Sequence, residues 1–433
     1  MRRRLVNVIS LGCSKNLIDS ERLMKMLQSV GFSLSHNDVY DCGAEVTIIN
    51  TCGFIGDAKE ESINTILEAI NAKEDGLTDK VIVMGCLSQR YRDELLTEIP
   101  QIDSIYGKAD WPKIVAELAR ENPSVAQYDR ILTTPTHHAY LKVSEGCNRF
   151  CAFCAIPLIT GRHTSRSEEE IIEEVKLLVS RGVKEFNIIA QDLSSYGVDL
   201  YGSHRIASLV DKIASIDGVK WIRLHYAYPS DFPYDLLEVM ARHQNVCKYL
   251  DIALQHVSDN VLSNMRRHIT GQQTRELLQR IRESVPGIHL RTTLMVGFPG
   301  EGDSEFNELL EFVRDQRFER MGAFAYCEED DTYAALHLED NISDEVKQSR
   351  LDQLMALQEE ISFDIQQEKV GQTYKVIIDR EESDYYVGRT EYDSPEVDPE
   401  VLINKDKKLK VGEFYNVTIT EALPFELIAT IEI

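Results

Sequence analysis

The chain has 433 residues, 43% of them hydrophobic and 27% charged, the make-up of a globular protein with room for two or three cores. No run approaches the roughly 18 uncharged apolar residues of a membrane span. The basic start Met1-Arg2-Arg3-Arg4 precedes too short an apolar run for an export signal, so a cytoplasmic protein without membrane contact is expected. Lys and Arg total 47 against 72 Asp and Glu, a net charge of −25, which repels nucleic-acid phosphates and suits a basic partner.

Residues 1–130 alternate short apolar strands, at 6–9, 46–49 and 81–84, with helical patterns at about 19–30, 58–72 and 89–97. Uninterrupted β-branched runs between helices predict an α/β domain whose doubly wound parallel sheet is covered on both faces. The alternation continues over 135–342 with six candidate strands, at 140–143, 186–190, 221–225, 249–253, 290–296 and 322–326. A helix over 167–180 is capped by Ser167, with Glu168, Glu169 and Glu170 in its first turn. Six successive βα units predict a partial (β/α)6 barrel, with a flat doubly wound sheet as the alternative. Residues 343–370 read as a charged helical connector. After Gly371-Gln372 come five short β runs, at 374–378, 385–389, 401–403, 414–420 and 427–431. They predict a small antiparallel β-barrel over 371–433.

Nine cysteines is an odd number, and their grouping is not one that disulfides require. It favours a reducing compartment and thiolates used for metal. The sharpest set is Cys147-x-x-x-Cys151-x-x-Cys154, directly after the strand at 140–143, on the side of a barrel where active sites assemble. Three closely spaced thiolates can hold three irons of a four-iron cluster and leave the fourth open to a small chelating molecule. Zinc with His163 as fourth ligand is the competing reading. In a second set, Cys13, Cys52 and Cys86 each follow one amino-terminal strand, beside Gly12, Gly53 and Gly85. Loops after the strands of an open parallel sheet share one edge, where ligands bind, so these thiols could converge. Three buried cysteines packing as small hydrophobes would leave the same pattern. Cys42, Cys247 and Cys327 read as structural.

Phe153 completes Cys-x-x-x-Cys-x-aromatic-Cys, which resembles the signature of radical S-adenosylmethionine enzymes. Ser10-Leu11-Gly12-Cys13-Ser14-Lys15-Asn16-Leu17 with Asp19-Ser20-Glu21, and Asn50-Thr51-Cys52-Gly53-Phe54-Ile55, resemble the methylthiotransferases of that superfamily. That family joins an amino-terminal cluster domain, a radical domain and a small β-barrel called TRAM, and the resemblance covers nearly the whole chain. It implies two [4Fe-4S] clusters, an auxiliary one on Cys13, Cys52 and Cys86 and a radical one on Cys147, Cys151 and Cys154, each with an open iron. It also implies S-adenosylmethionine as cofactor, a flavodoxin- or ferredoxin-type electron donor, and replacement of C–H by C–S–CH3. An unactivated carbon offers general acid–base catalysis nothing to act on, so the cofactors must carry the hard chemistry.

The same resemblance makes Phe153, Gln191, Asp192, Arg223 and Gln255 candidate contacts to S-adenosylmethionine, all near strand ends. Thr293-Leu294-Met295-Val296-Gly297-Phe298-Pro299-Gly300-Glu301 resembles the segment beside the nucleoside, which adds Gly297, Gly300 and Glu301. A strand-to-helix turn would explain those glycines equally. His225 and His256 read as hydrogen-bonded core or rim histidines. Arg162, His163 and Arg166 read as an anion contact or a solvated loop.

Two branches of the family share the architecture. One modifies an adenosine beside the tRNA anticodon, the other an aspartate β-carbon in ribosomal small-subunit protein uS12. Both cysteine motifs, the second running on to Ala58-Lys59-Glu60-Glu61-Ser62, resemble the uS12 branch, although that branch usually has Pro where this chain has Ser14. Charge agrees: residues 371–433 hold seven basic and fourteen acidic side chains. That balance suits a basic ribosomal protein, free or on the ribosome, better than an RNA backbone. Direct nucleic-acid binding is therefore not expected. A non-catalytic iron–sulfur electron carrier is the distant alternative, and such carriers normally use four ligands per cluster.

Overall fold

The computed structural model describes residues 4–119, 125–126 and 128–431. The start Met1-Arg2-Arg3, weighed above as an export signal, lies outside them. No described helix is long and apolar enough to cross a membrane. The chain divides into two compact units, residues 1–134 with 145–148 and 155–177, and residues 135–144 with 149–154 and 178–433.

The first unit is built on five parallel strands, β1 (Leu5–Ser10), β2 (Ser33–His36), β3 (Val46–Thr51), β4 (Lys80–Gly85) and β5 (Ser104–Ile105). Their spatial order, β2-β1-β3-β4-β5, reverses between β1 and β3, the switch point at which doubly wound sheets bind ligands. Alternate residues of the apolar runs serve opposite faces. Val6, Val8, Ile48, Ile82 and Met84 pack with the helices Ser14–Ser29 and Trp111–Ala119, while Ile49, Val81 and Val83 pack with Ile66 and Ile70 of the helix Gly56–Glu74. The first helix begins at Ser14 rather than near residue 19, directly behind Cys13. The helix expected at 89–97 is two, Cys86–Arg90 and Arg92–Glu98, broken at Tyr91. Residues 155–177 join this unit through buried charges: Glu174 accepts from Arg130 Nε at 2.9 Å and meets Arg166 Nη2 at 2.7 Å, and Arg130 also pairs with Glu21.

The second unit opens with β6 (His138–Lys142); β7 (Ser144–Glu145), at the division between the units, and β8 (Thr164–Ser165), which belongs to the first, follow it in sequence. Then come β9 (Glu185–Ile189), β10 (Trp221–Ala227), β11 (Val246–Ile252), β12 (His289–Val296) and β13 (Arg320–Ala325). The order β6-β9-β10-β11-β12-β13 is parallel throughout and never reverses. A flat doubly wound sheet would reverse, so this is the partial barrel. The helix Asp344–Gln367 follows, then β14 (Thr373–Glu381), β15 (Tyr385–Thr390), β16 (Glu400–Asn404), β17 (Phe414–Ala422) and β18 (Glu426–Ile431). These five close into a barrel in the order β14-β15-β16-β18-β17, in which only β16 and β18 run parallel.

The small barrel lies against the amino-terminal ends of the six strands. Trp221, the first residue of β10, meets Phe414 edge-to-face at 4.8 Å. Arg389 of β15 forks onto Glu185, the first residue of β9, at 3.0 and 2.8 Å, and onto Asp379 of β14 at 2.6 and 2.9 Å. The segment between β15 and β16 carries Asp393 to Arg320 at 2.6 Å, and Asp398 to Arg291 at 2.7 Å and the Tyr249 hydroxyl at 2.9 Å. Asp379, Asp393 and Asp398, which the charge count above includes, are thus committed to ion pairs with arginines inside the unit.

Candidate functional site

Cys13, Cys52 and Cys86 follow β1, β3 and β4, adjacent strands on both sides of the switch point. Glycines let the three loops close up. A Cβ on Gly12, at φ +82°, would stand 2.8 Å from Cys52 Sγ, and one on Gly53 would stand 2.8 Å from the Leu87 backbone. Asn16 ties the loops together: Nδ2 donates to the carbonyls of Leu11 (3.2 Å) and Thr51 (3.0 Å), and Cys86 Sγ lies 3.4 Å from Oδ1. Ser62 holds the Cys52 backbone, its Oγ accepting from Cys52 N and donating to Cys52 O, both at 2.9 Å. Cys13 is the N-cap of one helix and Cys86 the first residue of another, positions whose partial positive charge favours thiolates. Burial pushes the Cys52 and Cys86 thiols up, Cys86 to about 12. Desolvation acts the same way on Cys13, but the Lys15 charge, the Asn16 backbone N–H and the Lys108 charge outweigh it and hold that thiol below its ordinary value. Lys108 is fixed by Glu145 at 2.7 Å and Asp19 at 3.8 Å.

Cys147, Cys151 and Cys154 occupy the loop after β7. Cys147 N donates to Gly161 O at 3.2 Å, and a Cβ on Gly146 would stand 2.2 Å from Arg162 O, so Gly146 is required where those two backbones meet. Cys154 N donates to Cys151 O at 3.0 Å, and the backbone of Ala152 bonds both Met265 (2.9 Å) and Ala334 (2.8 Å). Arg267 Nη1 donates to Cys151 Sγ at 3.3 Å, and the Tyr228 hydroxyl lies 3.4 Å from the same sulfur. Phe153 packs edge-to-face on Phe298, 6.2 Å between centroids.

Among the described residues no three Cys, His, Asp or Glu side chains gather as a single metal ion would require, so zinc with His163 finds no geometric support. His163 Nε2 lies 3.2 Å from Ser165 Oγ. A four-iron cluster asks for something else, one thiolate on each of three separate irons. Both sets offer sulfur donors of that kind. The glycine cradle of the first and the Arg267 N–H aimed at Cys151 in the second fit such a group.

The candidate contacts to S-adenosylmethionine fare unequally. Gln255, at φ +72°, is locked to β12 through Thr293 O (2.9 Å) and Met295 N (2.7 Å), and its buried Oε1 takes no hydrogen bond among the described residues. Gln191 lies at the same carboxyl-terminal edge, just after β9. Asp192 is occupied by Arg149 Nε at 2.7 Å and Ser195 Oγ at 2.5 Å. Arg223 has to be reassigned. It is fully buried, pairs with Glu185 and donates to the carbonyls of Thr390 (3.2 Å) and Glu391 (3.1 Å), at the opposite end of the sheet from the cysteine loop. Gly297, Gly300 and Glu301 form the turn that follows β12. A Cβ on Gly297, at φ +72°, would stand 2.3 Å from Lys347 Cγ, and one on Gly300 would stand 2.3 Å from Asn264 Nδ2. Glu301 accepts from Gly297 N (3.0 Å) and Arg350 Nη1 (2.9 Å) and lies 3.3 Å from His256 Nε2. His225 is buried near Asp251, and burial lowers its pKa. Arg166 is taken up by Glu170 and Glu174, while Arg162 is exposed.

Sequence reasoning passed over Asn16, Lys108, Arg149, Tyr228 and Arg267. Asn16 and Arg149 stand inside cysteine motifs and could have been noticed there. Arg267 is 116 residues from Cys151, and nothing local marks it.

Three family patterns match the chain: an uncharacterized protein family, UPF0004, over residues 5–107, the radical SAM superfamily over 141–313, and the TRAM domain over 370–431. The ribosomal protein uS12 methylthiotransferase RimO of Phocaeicola vulgatus is 60% identical over 432 residues, covering 100% of both chains. The same-named protein of Flavobacterium johnsoniae is 49% identical, covering 99% of this chain and 98% of its own. This chain belongs to the RimO family. Among solved structures, the radical S-adenosylmethionine methyltransferase TsrM of Kitasatospora setae matches with a TM-score of 0.57 at 16% identity, covering 75% of each chain. That likeness is one of fold. Membership of the RimO family brings S-adenosylmethionine and [4Fe-4S] clusters as cofactors.

Proposed function

We propose that this chain inserts a methylthio group at the β-carbon of an aspartate in ribosomal protein uS12. The observation that carries the reading is two sets of three thiols, one on the loops after β1, β3 and β4 and one on the loop after β7, in a chain 60% identical over its full length to a RimO. Cys13, Cys52 and Cys86 would hold the auxiliary cluster and Cys147, Cys151 and Cys154 the one that binds S-adenosylmethionine. Together these groups supply a carbon-radical route through an unactivated C–H bond and a sulfur to place there. The protein's own part is placement. Asn16 and Ser62 hold the first set of loops in register, Arg149 fixes Asp192 at the sheet edge, and Gln255 Oε1 offers a buried acceptor for a polar group of S-adenosylmethionine, with Gln191 beside that edge. Phe298 and Phe153 form an apolar floor that helps keep water away from reactive species. A flavodoxin- or ferredoxin-type protein would supply electrons, and the reaction belongs in the cytoplasm, where ribosomal proteins are made.

Anaerobic turnover with S-adenosylmethionine, sulfide and reductant tests this, with a uS12 aspartate-loop peptide and isopentenylated tRNA offered in parallel. Mass spectrometry should find the methylthio group on the peptide alone. Modification of the tRNA alone would keep the chemistry and overturn the substrate. Failure to cleave S-adenosylmethionine at all would return the electron-carrier reading.

A further inference from the structure

Arg267 is 3% exposed. A guanidinium taken out of water this far ordinarily sits beside a carboxylate, because an uncompensated buried charge is strongly destabilising. Among the described residues no carboxylate pairs with it. Arg149, stacked 4.3 Å over the Tyr228 ring, is by contrast neutralised by Asp192 at 2.7 Å and Asp231 at 3.0 Å. Arg267 stacks over the same ring at 4.1 Å, donates through Nη2 to the Ala253 carbonyl, and directs Nη1 at Cys151 Sγ at 3.3 Å. The Tyr228 hydroxyl reaches that sulfur at 3.4 Å and the Arg267 carbonyl at 3.2 Å. A neutral thiol does not balance a buried cation, whereas a thiolate on a cluster of net negative charge does.

We propose that Arg267 is the counter-cation of the radical cluster, bonded to Cys151 Sγ beside the Tyr228 hydroxyl, and that it raises the potential at which this cluster accepts its electron. The inference rests on the reading that Cys147, Cys151 and Cys154 hold a cluster. One electron enters from a low-potential carrier and the cluster becomes one unit more negative, so a fixed cation beside its sulfur stabilises the reduced form more than the oxidised one. Net charge and hydrogen bonds to sulfur are among the factors that set such potentials.

The test is an anaerobic redox titration of the cluster-loaded chain, following the electron paramagnetic resonance signal that changes when S-adenosylmethionine is added. Arg267→Gln should keep its iron and show a reduced-to-oxidised ratio at least tenfold lower at the unmodified protein's midpoint, a downward shift of about 59 mV or more for one electron. Arg267→Lys should recover most of that shift, and Tyr228→Phe should show a smaller one in the same direction. An unchanged potential in fully loaded Arg267→Gln overturns the proposal. Should Arg267→Gln lose iron, Arg267→Lys decides: retained iron at near-normal potential supports the counter-cation, and iron loss there too reduces Arg267 to a packing role. Absence of an S-adenosylmethionine-responsive signal from the unmodified chain would overturn the cluster assignment itself, and the inference with it.

Discussion

Replacing Glu185 with glutamine is expected to loosen the small barrel from the six-stranded sheet. Glu185 is completely buried, accepts two bonds from Arg389 and pairs with Arg223. Burial works to raise its pKa, but Arg389 and Arg223 overcome it and hold the carboxyl down to about 2. Measured from an unfolded value near 4.5, that is ~2.5 units, or about 3 kcal/mol. The figure sits at the low end of the roughly 3–5 kcal/mol lost when one partner of a buried pair is removed. Because the folded pKa is depressed, the contribution is complete above about pH 4.5 and drains away as pH falls toward 2; at pH 3 about 1 kcal/mol remains. Trp221 on Phe414 reports the contact, and Trp111→Phe silences the chain's other tryptophan. Urea unfolding of the metal-free chain, followed by that fluorescence, should show Glu185→Gln lowering the midpoint by about 0.5–1 M at pH 7 and by markedly less at pH 3. A pH 7 shift below about 0.3 M, or a difference that does not change with pH, would refute this account of the network.

Alanine at Cys13, Cys52 and Cys86 should remove about four of eight irons and leave reductive cleavage of S-adenosylmethionine intact; iron analysis and product assay check both halves. Alanine at Cys147, Cys151 and Cys154 should abolish cleavage and leave the other four irons. Gly85→Ala is expected to fail locally, since Gly85 holds φ +109° and a Cβ would stand 2.5 Å from Asn50 Oδ1 and the Thr51 carbonyl. The cost is about 1–3 kcal/mol and the auxiliary iron content should fall, whereas Gly76→Ala, at φ +73° with nothing within 4 Å of the added carbon, should keep its iron.

Much of the architecture was legible because burial writes itself into pattern. The runs at 46–49 and 81–84 are apolar on successive residues since Ile48 and Ile82 serve one core while Ile49 and Val81 serve the other. The edge strand β2, Ser33–His36, was invisible for the opposite reason: it is polar and only half buried. Charge counting sees no depth, so Asp393 and Asp398 entered a tally of surface acidity although both are buried against arginines. Arg223 was misread because position along a strand does not say which end of the sheet a side chain serves. Contacts made across long sequence separations, such as Arg267 with Cys151, exist only once the chain has folded.

The three loops that carry Cys13, Cys52 and Cys86 are held by Asn16, Ser62 and the central strands, all bonds between protein groups. None of these bonds uses a cysteine sulfur, so replacing a thiol leaves the latch of the loops that carry it in place.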